Sequence, residues 1–298
     1  MQEHTILPHL QPPRRLSAFA PLVAALALGF CFAVLAQAQT MPAANAITSA
    51  SLPDAPQPQS VDPSQPPKSE DVTVRNSPRI FLHDEEAIWT SPVRLRPHDL
   101  EWLAPLALAT GAAIATDHRA MSQTVSRNTA FNNANINVSN GLIGGFVAAP
   151  FALFAVGHLK QDEHARETGI LSAEALADGL VVEQGLKLVF WRERPYVDDG
   201  RGRFFQSGAG FESSFPSAHS TLAWSAASAI AAEYHSPWTQ VAVYTGATAV
   251  SLTRVLGQQH FPSDVLVSAT AGWLIGHYVV KRHRHSIAKL EHHHEGGF

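Results

Sequence analysis

The chain has 298 residues, a formal net charge of −4 and a single cysteine, which bounds it to one large or two small domains and excludes a disulfide-built scaffold. Its lysines and arginines are scattered rather than clustered, so there is no electrostatic footprint for nucleic acid.

Arg14 and Arg15 precede an apolar run from Leu22 to Leu35, and Ala36-Gln37-Ala38 fits a small-residue cleavage site. Residues 1–38 are therefore expected to be a secretory signal peptide, with a retained membrane anchor as the alternative. The apolar run is shorter than the ~20 residues a spanning helix needs. Cys31 lies inside that segment, so a cleaved chain has no thiol. Residues 39–79 are rich in Pro, Ser, Ala and Gln and form a linker that cannot bury enough apolar surface to order itself. Residues 80–98 hold a short amphipathic stretch, FLHDEEAIW, that either packs on the following domain or lies on a membrane surface.

Six helical segments follow in a domain spanning 99–283: Leu100 to Thr116, Gly141 to Gly157, Ile170 to Trp191, Ser217 to Tyr234, Trp238 to Val255 and Pro262 to Arg282. No strand alternation competes, so the class is all-α. Asp117 to Asn140, rich in Asn and Ser, is expected to be a long polar loop bordering the site. Glu174, Asp178, Glu183 and Lys187 share the third segment, an expensive set in hydrocarbon. They favour an exported bundle, periplasmic or in the cell envelope, soluble or attached to a membrane surface; a membrane-embedded protein is the alternative. Residues 284–298 are a His-rich tail.

Three stretches carry the chemistry. In KLVFWRERP, Lys187 and Arg194 stand seven residues apart, two helical turns, and project from one helix face if the helix continues to Pro195. They form an anion clamp, although Lys187 can instead pair with Glu183. In FPSAHS, Pro216 suits a first helical position, which leaves the amides of Ser217, Ala218 and His219 free to bind an anion. His219 is then within reach of a leaving-group oxygen as general acid. In TRVLGQQHFPSD, Arg254 binds phosphoryl oxygens, His260 is a candidate nucleophile and Asp264 orients the ring by accepting from its other nitrogen. Asp264 alone also suits a plainer role at a helix N-terminus.

In order and spacing, Lys187-x6-Arg194-Pro195, Pro216-Ser217-x-His219 and Arg254-x5-His260-x3-Asp264 resemble the three-part signature of the type 2 phosphatidic acid phosphatase and vanadium haloperoxidase superfamily. The family has Gly where Ala218 stands and Ser where Thr253 stands. The resemblance implies a six-helix core bundle and a metal-independent phosphohydrolase of its phosphatase branch, acting on a lipid phosphate, a diphosphate or a small phosphoester. His260 would carry a phosphohistidine, Asp264 would orient it and His219 would protonate the leaving group. Lys187, Arg194, Arg254 and the Ser217 and Ala218 amides would hold the phosphate. No cofactor is implied, and vanadate enters as an inhibitor. The alternatives are a haloperoxidase, for which vanadate is the cofactor, and a non-catalytic exported phospholipid-binding bundle. Both imidazoles are expected to face each other across a positively charged pocket.

Overall fold

The computed structural model describes residues 77–206 and 212–295; the expected signal peptide and all but the end of the linker lie outside them. Among the described residues there are seven α-helices, three short 3-10 turns and no strand. The helices are α1 (Ser77–Thr90), α2 (Leu100–Gln123), α3 (Thr129–Lys160), α4 (Glu163–Phe190), α5 (Ala218–Glu233), α6 (Pro237–Leu256) and α7 (Pro262–Glu295). The last six overlap the six expected segments.

The boundaries differ from the expected ones where the sequence is polar. Asp117 to Asn140 is not a loop: Asp117 lies on α2, and α3 starts at Thr129. The Asn128 side chain caps α3 by accepting from Phe131 N at 3.0 Å, and Asn135 donates to the Phe131 carbonyl at 2.9 Å. Asparagine side chains thus bond the helix backbone, as they do when they stabilise helix ends. The polar run between α3 and α4 shrinks to Gln161, left-handed at φ 56°, and Asp162, which accepts from Ala165 N. At the C-terminal end α7 continues past Arg282 to Glu295, through the helix formers of IAKLE.

α5 is the inner helix. Ala223, Ala226, Ala227 and Ala229 are fully buried, as are Ser220 and Ser225. Small side chains let α7 approach closely: a Cβ on Gly272 would stand 2.4 Å from the Thr221 carbonyl oxygen, and one on Gly276 2.3 Å from that of Ser225. Such contact has no room for a methyl group, so the axial register of α7 on α5 is fixed. That register aligns the two helix starts that carry His219 and Asp264. Nearby, Ile170, Leu171 and Ala175 of α4 pack with Ala229, Val279 and Val280.

The amphipathic segment packs on the domain. Asp84 of α1 is buried in an ion pair with Arg282 of α7, and the Trp89 ring occupies the space beside Gly185 of α4. Two buried carboxyls, Glu174 and Asp178, lie on α4. Burial pushes Glu174 up to about 7 and Asp178 up to about 8, the latter raised further by Glu174 and Glu85. Leu108, Phe151 and Leu159 are among the apolar side chains exposed on α2 and α3. Among the described residues α3 is long and apolar enough to cross a membrane, and most of that apolar stretch is exposed.

Two outcomes follow from this packing. Gly276→Val is expected to destabilise the fold by at least about 2 kcal/mol in chemical unfolding, since a branched side chain would meet backbone; an unchanged midpoint contradicts the close approach. The raised pKa values of Glu174 and Asp178 give stability that is complete below the ordinary carboxylate range, falls as pH rises above it, and is lost once pH has passed through about 7 and about 8. The melting temperature is expected to fall across that window, and Asp178→Asn to flatten the fall; an equal slope in the variant counts against buried neutral acids.

Candidate active site

The three motif stretches meet where α4 and α6 end and α5 and α7 begin. Lys187 and Arg254 sit in last turns, and the first turns of α5 and α7 carry His219 and Asp264. Helix C-termini favour cations and helix N-termini favour anions, so this end of the bundle is polarised before any side chain is counted.

α4 ends at Phe190, five residues before Pro195. Trp191 adopts a left-handed conformation at φ 39°, and its amide closes the helix on the Lys187 carbonyl. Arg194 therefore does not share a helix face with Lys187. It lies in the segment after the helix, its Nε donating to the Glu212 carbonyl at 2.9 Å and one terminal nitrogen to Gln259 Oε1 at 3.3 Å. Lys187 is 5% exposed and pairs with Glu183 at 3.0 Å. Arg254 is similarly buried, its Nε without a partner, and burial followed by repulsion from Arg194 lowers its pKa to about 10.

Arg192, two residues before Arg194, organises the site and was not singled out in the sequence. It is 1% exposed. Its guanidinium donates to Asp264 Oδ1 at 2.5 Å, to Ser263 Oγ at 2.7 Å, to Asp117 Oδ2 at 2.7 Å and to the Gly202 carbonyl at 3.1 Å. The rings of Phe261 and Phe204 flank it, with centroids 4.1 and 4.5 Å from Cζ. Gly202 is required here twice over: φ is +62°, and a Cβ would lie 2.5 Å from the Phe261 ring. Asp117, reaching in from α2, also accepts from the Ser263 amide at 3.1 Å and from its hydroxyl at 2.5 Å, capping α7 from another helix.

His260 is held differently from the expectation. Asp264 Oδ2 stands 3.8 Å from His260 Nδ1, too far for a hydrogen bond, and is occupied by the Ser214 hydroxyl and the Phe261 amide. Nδ1 instead lies 2.7 Å from the Ser214 carbonyl. A carbonyl only accepts, so Nδ1 carries the hydrogen and Nε2 of the neutral ring keeps its lone pair. Asp264 orients the ring through Ser214 and acts on it by charge. Burial drives the His260 pKa down to about 4, with Asp264 opposing and Arg194 and Arg254 reinforcing the shift. The ring is 2% exposed, so it does not look out onto an open pocket as expected.

Pro216 does not open α5. It follows a cis peptide bond from Phe215, and α5 begins at Ala218 with Ser217 as N-cap. The Ser217 amide is not free: it donates to Ser268 Oγ at 2.6 Å. The Ser217 hydroxyl, fully buried, has no partner. Ala218 is the first helical residue and has no positive φ, so the side chain that replaces the family's Gly is unstrained. His219 is partly buried, and its Nε2 lies 3.0 Å from Asn140 Oδ1 on α3. Burial, then Arg254, His260, Lys187 and Arg194, lower its pKa to about 3. All five residues therefore share one electrostatic field. Among the described residues no cluster of His, Cys, Asp or Glu is arranged to hold a metal ion.

The PAP2 superfamily model matches residues 168–287. The chain is also similar to a lipid A 1-phosphatase of Porphyromonas gingivalis, 40% identical over 65 residues; this match spans 21% of the chain and 15% of that protein's length. No solved structure matches.

Replacing Arg192 with Met would leave Asp117 and Asp264 buried without their cation, at an expected cost of about 3–5 kcal/mol. Urea unfolding checks it, and a loss below about 1 kcal/mol would contradict the clamp.

Proposed function

Because the PAP2 superfamily model matches residues 168–287, we propose that this chain is a phosphohydrolase that cleaves the phosphate of a lipid through a phosphohistidine on His260. The observation that carries the reading is the gathering of cations near two imidazoles whose pKa values are lowered by burial and then by charge, from Arg254, Lys187 and Arg194 at His219 and from Arg194 and Arg254 at His260. Lys187 and Arg194 each have a carboxylate partner, but the buried Nε of Arg254 has none, so the cluster keeps a place for an anion. A phosphate dianion is an anion of the right charge and shape, since guanidinium groups and helix-start amides both bind its oxygens.

In the reaction, Nε2 of neutral His260 attacks phosphorus while the cations and the first-turn amides of α5, beginning with Ala218, hold the equatorial oxygens. The Ser217 hydroxyl replaces the Ser217 amide in this cradle. His219 protonates the departing alkoxide, and water then cleaves the phosphohistidine with His219 taking its proton. No resident cofactor takes part; vanadate, a phosphate mimic, is an inhibitor.

A lipid substrate is supported by the lipid A 1-phosphatase relative and by the apolar side chains exposed on α2 and α3, which suit contact with a membrane surface. The envelope location expected from residues 1–38 places the enzyme where such lipids are reached. A panel of phosphatidate, lysophosphatidate, an isoprenoid diphosphate and 4-nitrophenyl phosphate, with and without detergent, tests the class. Preference for the amphiphiles is expected, and equal or better turnover of the soluble ester would reject a lipid substrate.

His260→Ala is expected to lower turnover at least about a thousandfold while phosphate or vanadate still binds, because the cations remain. His219→Ala is expected to slow an alkyl phosphate about a hundredfold and 4-nitrophenyl phosphate, whose leaving group needs no proton, much less. Retained hydrolysis in the first variant or equal losses in the second would overturn these roles.

A further inference from the structure

Asn140 belongs to FNNANINVSN, the polar stretch of α3 that the reaction above leaves without a task. Its Oδ1 lies 3.0 Å from His219 Nε2, joining residues 79 apart in the chain. One and two turns earlier on the same helix face, Ile136 and Asn132 back onto Gly257, at the end of α6 and three residues after Arg254. The stripe Asn132, Ile136, Asn140 therefore runs along the wall of the site and ends at the ring of the acid.

An amide oxygen can only accept, so Nε2 of His219 carries a hydrogen and donates it. Nδ1 makes no hydrogen bond within the described structure. The groups acting on the ring are Lys187 from α4, Arg194 from the segment after it, Arg254 from α6 and His260 from the turn before α7. α3 adds the uncharged Asn140. A carboxylate in that place would raise the pKa of the imidazole; an amide orients it without doing so. Burial and the surrounding cations accordingly hold the free ring neutral, at a pKa of about 3. The negative charge that lets it take a second proton comes with the substrate.

We propose that Asn140 is the positioning residue for the leaving-group acid: it pins His219 through Nε2 and leaves Nδ1 to carry the transferred proton, so that the ring is charged only when a phosphate occupies the cradle. This rests on the phosphatase reading. As the bond from His260 Nε2 to phosphorus forms, the phosphorus–oxygen bond breaks, its electron pair goes to the leaving oxygen and the Nδ1 proton of His219 follows. In the second half a water oxygen bonds to phosphorus, the nitrogen–phosphorus pair returns to His260 Nε2, and His219 Nδ1 takes the water proton.

The test uses the full chain in detergent, an alkyl phosphate and 4-nitrophenyl phosphate. Asn140→Ala is expected to lower kcat on the alkyl ester about tenfold or more and on the aryl ester less than about threefold. In a His219→Ala background it is expected to have no further effect, because a residue acting only through His219 has nothing left to act on. Asn140→Asp keeps the side-chain size and adds a charge, so the alkaline limb of the alkyl-ester profile is expected to move up by about one pH unit or more; this variant decides the matter should Asn140→Ala fail to fold. Equal losses on both esters, a further loss in the double variant, or an unmoved alkaline limb would overturn the role of Asn140 while leaving the phosphatase reading intact. A wild-type protein that releases phosphate from neither ester overturns the phosphatase reading, and this inference with it.

Discussion

The Arg192 guanidinium, buried between Asp117 and Asp264, is the interaction on which the site depends. Removing three charges from water costs several kcal/mol per ion, and such a group persists only where its hydrogen bonds are satisfied. Four side-chain bonds and two aromatic faces do so here. The result is a tie between α2, the segment after α4 and the start of α7. Through Asp264 the tie reaches Ser214, whose hydroxyl bonds the carboxylate and whose carbonyl accepts from His260. The carboxylate thus steers the ring at one remove, with a backbone oxygen as the contact that selects the tautomer.

Around that frame the charges are arranged to need a guest. Lys187 is balanced by buried Glu183, and Arg194 has the exposed Glu212 at 3.6 Å, but the Nε of Arg254 faces no acceptor. Both imidazoles are pushed to their neutral forms by burial, with these cations adding to the shift. Neutrality suits a nucleophile and does not suit an acid. In the proposed reaction a bound phosphate resolves the conflict, because its charge acts against the cations that help burial to hold His219 neutral. In the same proposal Asn140, orienting without charging, keeps that dependence on the substrate.

Much of this was legible in the chain. Apolar runs located the six core helices, and spacing picked out Lys187, Arg194, His219, Arg254, His260 and Asp264, which the structure gathers at one end of the bundle. What escaped was set by tertiary contact. Asp117 and Asn140 looked like loop residues because Asn and Asp favour turns, yet each lies on a helix and is used by a neighbour many residues away. Arg192 carried a faint signal, a cation directly after the apolar LVFW, that spacing rules ignored. The Ser217 amide looked free because a helix start offers unpaired donors, and only the packing of α7 on α5 brings Ser268 to it.

The most direct test of the central claim is to trap the intermediate on the wild-type protein. A reaction with a lipid phosphate, quenched in alkali within the first turnover, where phosphohistidine survives, would be digested and read by mass spectrometry. Phosphate on the peptide containing His260, vanishing as the reaction runs to completion, is the expected result. An active enzyme whose phosphate appears on a different residue, or on none, would contradict His260 as the nucleophile.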